Sequence, residues 1–366
     1  MENRILILTA GFGEGHNSAA RGIRDGLAEV SGGAATVELH DIFAEAYGVA
    51  NDLARKAYLA AINRAPRTWG RFYNWLDRQD KFAPKMGWLF LAKARLAQLL
   101  LRFQPTAVVS VYPAYPYLIE SIMGGASAPF RQVVCITDSI TVNAIWLGAT
   151  ADLFLLPNEL TAAVVEQRNV PREIVRTLGF PVSPKFAELG ERRRAPNAEQ
   201  GYQILYMINA GGRVAPEVIR RLTSSPEFKL TVTVGRNSRL QQAIENLRAE
   251  LRRNFAIIGW ADDMPRLMLE SHLLISKAGG ATVQETIAAK CPMIINQVVP
   301  GQEEGNARLI VETGSGAIAT DSDAILQTVR RAFADGARVW RDWSVNIARL
   351  SRPRASLEIA EMLLGL

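Results

Sequence analysis

The chain has 366 residues, 48% hydrophobic and 21% charged, with a net charge of +6. That length exceeds one ordinary core and predicts two domains, and the composition excludes a disordered or fibrous chain. The two cysteines, Cys135 and Cys291, sit in apolar runs without metal-ligand or redox spacing, so they read as core thiols.

The first predicted strand is RILILT (4–9), preceded by no apolar stretch of the secretory type, so a cytoplasmic location is expected. It runs into Gly11-Phe12-Gly13-Glu14-Gly15-His16-Asn17, and a helix follows. Glycines let the backbone turn sharply and approach a ligand, and a helix start offers free N–H groups. The loop is neither a dinucleotide fingerprint, because the third glycine position holds His16, nor an NTPase loop, because Gly-Lys-Ser/Thr is missing. His16 is the candidate general base, since a near-neutral imidazole takes a proton from a hydroxyl; the plainer reading is a backbone-satisfied N-cap neighbour. Gly13, Gly15 and Asn17 are candidate acceptor contacts.

Between 51 and 102 stand eleven basic residues against three acidic ones, interleaved with Trp69, Trp75, Trp88, Phe72, Tyr73, Phe82 and Phe90. That excess of eight surpasses the net charge of the whole chain. It predicts peripheral binding to an anionic membrane face, where each surface cation contributes about 1 kcal/mol. The alternative is a solvated basic face whose aromatics belong to the core. No run supplies the ~20 apolar residues of a spanning helix, the best one (87–101) being cut by Lys93 and Arg95. Nucleic acid is disfavoured because no reading motif accompanies the charge.

Strands TAVVSVY (106–112), QVVCIT (132–137) and DLFLLP (152–157) follow, apolar enough for a parallel sheet covered on both faces. Tyr112 and Pro113 close the first of these as candidate acceptor contacts. Asp138 closes the second, where it can orient His16, bind the acceptor or cap a helix. The Pro-, Gly- and charge-rich stretch 179–201 reads as a linker.

A second series comprises YQILYMI (202–208), KLTVTV (229–234), FAIIG (255–259), HLLIS (272–276) and PMIIN (292–296). Its loops point to one sheet edge: Gly211-Gly212, Arg236-Asn237, Trp260, then Gly279-Gly280-Ala281-Thr282 leading to Glu285, and finally Gln302, Glu303 and Asn306. Paired glycines at a helix start hold a diphosphate without a metal. Glu285 can accept from ribose hydroxyls, Gln302 and Glu303 can read sugar hydroxyls, and Trp260 can cover a flat base. Helical patterns run from Asp321 to Leu366, broken at Pro353, and Asp321-Ser-Asp323 reads as a helix cap.

The predicted class is therefore α/β, two Rossmann-like doubly wound domains facing across a cleft. The expected segments are an acceptor and membrane domain at 1–180, a linker at 181–201, a nucleotide-sugar domain at 202–350, and a C-terminal helix at 351–366 packing back toward the first domain.

GEGHNSAA, QPTAVVSVYP, ITDSITVNAIW, LGFPVSPKF, VGRN, SKAGGATVQET and PGQEEGNA, taken in order, resemble the monogalactosyldiacylglycerol synthases and processive diacylglycerol glucosyltransferases. These share a superfamily with the transferase that adds N-acetylglucosamine to the lipid-linked peptidoglycan precursor. The chain departs from the family at Gly13-Glu14-Gly15, where three glycines are usual, and at Tyr112, where plant members have His. The resemblance implies the GT-B fold and an inverting, metal-independent transfer of a hexose from a UDP-sugar to a lipid acceptor, diacylglycerol first, on the inner face of the cell membrane. It implies His16 as base, Asp138 on the acceptor side, Trp260 over uracil, Gly279 and Gly280 at the diphosphate, Glu285 at ribose, and Gln302 with Glu303 at the hexose. A transferase or 2-epimerase using UDP-N-acetylglucosamine and a non-catalytic UDP-sugar sensor are the alternatives on this scaffold.

Overall fold

The computed structural model describes residues 3–64, 89–190, 192, 195–208, 214–261, 263–301 and 303–366. They form two compact units. The first is Met1–Pro184 with Val299–Gly305 and Arg354–Leu366, and the second is Lys185–Val298 with Asn306–Pro353.

The first unit holds strands β1 (Arg4–Leu8), β2 (Thr36–His40), β3 (Ala107–Ser110), β4 (Arg131–Cys135), β5 (Leu153–Leu155) and β6 (Val175–Arg176). They make one parallel sheet in the order β2-β1-β3-β4-β5-β6. Ile5 to Leu8 of β1 and all of β3 are buried, which is why these strands read as unbroken apolar runs. The chain adds β2 on one side of β1 and β3 on the other, so the strand order switches between β1 and β3. In an open parallel sheet, a crevice opens outside the carboxyl ends at such a point.

The second unit holds β7 (Tyr202–Met207), β8 (Phe228–Thr233), β9 (Ala256–Ile258), β10 (Leu273–Lys277), β11 (Met293–Gln297) and β12 (Gly316–Ile318). Their order, β12-β11-β10-β7-β8-β9, switches between β7 and β10, the arrangement of a dinucleotide-binding sheet. The carboxyl ends of β7 and β10 therefore flank the second crevice.

The segmentation differs from the sequence reading in three places. Lys185–Leu189, inside the expected linker, is a short helix of the second unit, anchored by buried Phe186. Val299–Gly305, expected within the nucleotide-sugar domain, groups with the first unit, because Gly305 lies directly against the Ser139 carbonyl and Thr141. The C-terminal helical stretch leaves helical geometry at Ala334–Ala337 as well as near Pro353.

The last helix, Ala355–Leu364, packs on the Glu14–Ser31 helix within the first unit. A side chain at Gly26 would overlap the Ser356 carbonyl, so the close approach of the two backbones requires glycine there. Asn3 Nδ2 donates to Leu364 O at 3.0 Å and ties the two ends of this layer together.

Candidate active site

In the first unit, the loop after β1 is held from below by three groups. Gly11 N–H donates to Asp41 Oδ2 at 2.8 Å, and Tyr115 O–H donates to Thr9 O at 2.5 Å. Thr9 Oγ1 donates to Asn17 Oδ1 at 2.9 Å, so Asn17, a candidate acceptor contact, also braces the loop. The Glu14–Ser31 helix starts at Gly13, whose φ of 123° only glycine adopts comfortably, and no side chain caps it. Gly15 and His16 lie in its first turn, half-buried.

His16 meets four neighbours. Its Nδ1 is 3.1 Å from Thr137 Oγ1, at the carboxyl end of β4. The Tyr112 ring meets it edge-on at 5.2 Å, Trp146 lies 5.9 Å away, and the Val111 backbone hydrogen-bonds the ring. Burial depresses the imidazole pKa from 6.5 to about 4, partly opposed by the Val111 hydrogen bond. At neutral pH the ring is therefore uncharged, as a proton acceptor must be. Tyr112 also stacks on Phe12 at 6.1 Å, while Pro113 is buried at the start of the Ala114–Met123 helix.

Asp138 comes to the same place by a different route. Its Oδ2 accepts the Trp146 indole N–H at 2.8 Å, and Trp146 is only 3% exposed. The short Ala144–Trp146 turn that carries this indole is capped by Asn143 and pinned by Tyr117 O–H on Ile145 O at 2.9 Å. Sequence reasoning missed Thr137 and Trp146. Both stand inside the quoted run ITDSITVNAIW, and the signal was a hydroxyl beside the strand-end acid and a lone indole eight residues later.

In the second unit, Gly279 precedes the Gly280–Ala288 helix, which carries no side-chain cap and no acid in its first turn. Its N–H groups and dipole suit an anion. Lys277 extends over this turn, its Nζ 3.5 Å from the point where a Gly279 Cβ would stand, and Thr282 Oγ1 lies 3.8 Å from that point. The lysine, within the quoted SKAGG, also escaped the sequence reading. Asn306 is buried and donates Nδ2 to Ala278 O at 3.2 Å, so it shapes the loop from behind. Glu285 is half-buried in the second turn of the same helix.

Two strands along the sheet, the Arg236 guanidinium lies 3.9 Å over the Trp260 ring, and Trp260 is 54% exposed. Asn237 Oδ1 accepts from Leu240 N–H at 3.0 Å, a helix cap. Glu303 is buried in the first unit, with Oε2 accepting Val299 N–H at 3.1 Å, so one carboxylate oxygen closes its own loop. Gly211, Gly212 and Gln302 lie outside the described residues.

The 51–102 window divides. Six of its seven named aromatics and five of its eleven basic residues fall in 65–88, outside the described residues, as do the side chains of 58–64. On the flanking helices, Val49, Leu53, Phe90 and Leu91 are exposed. Glu45 pairs with Arg95, and Glu38 with Arg102, each at 2.8 Å. These two acids stand before residue 51, so the charge count of the window alone overstates the free positive charge at its far end.

The chain matches the monogalactosyldiacylglycerol synthase family model over residues 16–182 and the glycosyltransferase family 28 C-terminal domain over 211–338. It is 25% identical to a processive diacylglycerol β-glucosyltransferase of Staphylococcus carnosus, over 91% of this chain and 85% of that protein. It is also 25% identical to a probable chloroplastic monogalactosyldiacylglycerol synthase 2 of Oryza sativa subsp. indica, over 98% of this chain and 79% of the other. Among solved structures, MurG of Acinetobacter baumannii superposes with a TM-score of 0.63 at 15% identity, each chain covered in full. Two parallel six-stranded sheets with this relative place the fold in the GT-B class.

Proposed function

We infer from its membership of the monogalactosyldiacylglycerol synthase family of glycosyltransferases that this chain transfers a hexose from a UDP-sugar to diacylglycerol. The observation that carries the assignment of roles is the gathering, at the carboxyl ends of β1, β3 and β4, of an uncharged His16 and a carboxylate fixed by an indole.

In this reading the acceptor hydroxyl attacks the anomeric carbon from the face opposite UDP, inverting it. The new bond is acceptor oxygen to C1, and the bond that breaks is C1 to the β-phosphate oxygen, which keeps the electron pair. His16 receives the acceptor proton, a contribution of about 10² to 10⁴ in rate for general-base catalysis. Asp138 orients the acceptor. Charge developing on the leaving diphosphate is met by the N–H groups of the Gly280–Ala288 helix start and by Lys277. Trp260 covers the base and Glu285 accepts from the ribose.

The acceptor is a lipid, and we place the protein peripherally on the inner face of the membrane. Exposed Val49, Leu53, Phe90 and Leu91 flank the basic aromatic segment and support this. Among the described residues no helix is long and apolar enough to cross a membrane.

Labelled UDP-glucose and UDP-galactose, offered with diacylglycerol liposomes, test the activity; no labelled glycolipid from either donor would refute it. Liposome sedimentation of Leu53→Asp with Phe90→Asp tests the docking face. Reduced pelleting is expected, and pelleting equal to wild type would remove that face from the account.

A further inference from the structure

The Val111 hydrogen bond raises the His16 pKa, as a carbonyl accepting from a ring N–H does. Val111 N–H is itself spent on Leu8 O at 2.9 Å, which leaves the carbonyl as the group available to the imidazole. Each ring nitrogen offers one in-plane hydrogen bond, and a neutral imidazole has one donor and one acceptor. Nδ1 faces Thr137 Oγ1 at 3.1 Å; with the ring proton placed on the other nitrogen, toward Val111, Nδ1 holds the lone pair of the neutral ring. That lone pair is covered by the Thr137 hydroxyl. A lipid hydroxyl therefore finds no open nitrogen on His16. Asp138 Oδ2 accepts the Trp146 N–H, which fixes the carboxylate in the acceptor-orienting role given to it above.

We propose that Thr137 is a catalytic residue, the hydroxyl through which the acceptor proton reaches His16. This rests on the transferase reading above. As acceptor oxygen bonds to C1 and the C1–O bond to UDP breaks, the acceptor proton passes to Thr137 Oγ1, and the Thr137 proton passes to His16 Nδ1. Threonine is left neutral with the substrate's proton, and His16 becomes an imidazolium steadied by the Val111 carbonyl. The imidazolium then returns its proton to solvent, and no further reactant is required. A hydroxyl suits the task because it donates and accepts at once, which neither a methyl nor a carboxylate does.

The test compares Thr137→Val, Thr137→Ser, Thr137→Ala and His16→Ala in the glycolipid assay. Thr137→Ser keeps the hydroxyl and is expected within about threefold of wild-type kcat. Thr137→Val keeps the shape and is expected to lose about 10²-fold in kcat, in the range of a lost proton-transfer group, with the KM for UDP-sugar unchanged. The double variant Thr137→Val/His16→Ala should be no slower than the slower single one, because both act on one proton path. A merely structural threonine would give additive losses. Thr137→Val should also move the acid limb of the pH profile upward, since the neutral imidazole loses its donor. Thr137→Ala serves if the valine variant does not fold. Wild-type-like kcat in Thr137→Val or Thr137→Ala, or additive losses in the double variant, would overturn the relay. An inactive wild type would instead sink the transferase reading.

Discussion

The Trp146 indole donates its N–H to Asp138 at 2.8 Å while its ring lies 5.9 Å from that of His16, so one buried side chain touches both members of the pair. Phenylalanine at 146 would keep the ring against His16 and remove the donor. A hydrogen bond to a charged acceptor contributes about 1.5 to 3 kcal/mol. Trp146→Phe should accordingly lose about tenfold to a hundredfold in kcat, with UDP affinity unchanged. Steady-state kinetics beside UDP calorimetry decide it, and wild-type kcat would show that the Asp138 orientation is immaterial.

His16 makes the enzyme's acid behaviour specific. Its folded pKa of about 4 lies below the ordinary 6.5, so the unfolded chain takes up the proton first. Stability from the neutral ring is complete above pH 6.5 and is lost as pH falls toward 4, by an amount on the order of 3 kcal/mol. Denaturant unfolding of wild type and His16→Gln across this window should show the wild type losing more. Correspondingly, kcat/KM should stay flat from pH 7 down to about 5.5 and fall near 4. An acid limb near 6.5 would contradict the depressed value.

The Arg236 guanidinium over Trp260 holds one face of the indole and leaves a half-exposed ring for a base. An exposed cation–π pair contributes about 0.5 to 1 kcal/mol. Arg236→Ala should therefore weaken UDP binding by a fewfold, and Trp260→Ala by more, since stacking on an aromatic contributes about 1 to 3 kcal/mol per base. Calorimetry with UDP separates the two, and equal affinities for wild type and Trp260→Ala would remove the indole from the site.

Gly305 touches the loop that follows Asp138. Any Cβ there would overlap the Ser139 carbonyl and crowd Thr141, and neither backbone group can rotate away. Gly305→Ala should destabilise the protein by about 1 to 3 kcal/mol, the range of overpacking. Because the displaced loop carries Asp138, kcat should fall as well. A thermal melt and kcat matching wild type would mean the loop yields freely.

Nine of the twelve strands among the described residues were legible as apolar runs because they lie inside their sheets, β9 excepted, and two-sided burial writes itself into composition. The three that escaped, TVELH of β2, VR of β6 and GAI of β12, are edge strands. One side of each lacks a strand neighbour, so polar side chains are tolerated, and two or three residues are too few for a pattern. The candidate site was legible wherever a loop follows a strand, which is how His16, Asp138, Gly279 and Trp260 came to be candidates. Its couplings were not, because Thr137 meets His16 across 121 residues and no local pattern records that distance. Nor did local sequence tell that Val299–Gly305 groups with the first unit, since that depends on where Ser139 and Thr141 lie.

The Ala355–Leu364 helix covers the Glu14–Ser31 helix, with Asn3 bonded to Leu364 O. Loss of the Ala355–Leu364 helix would therefore bare the face around Gly26, and the helix that carries His16 in its first turn would stand without its outer support.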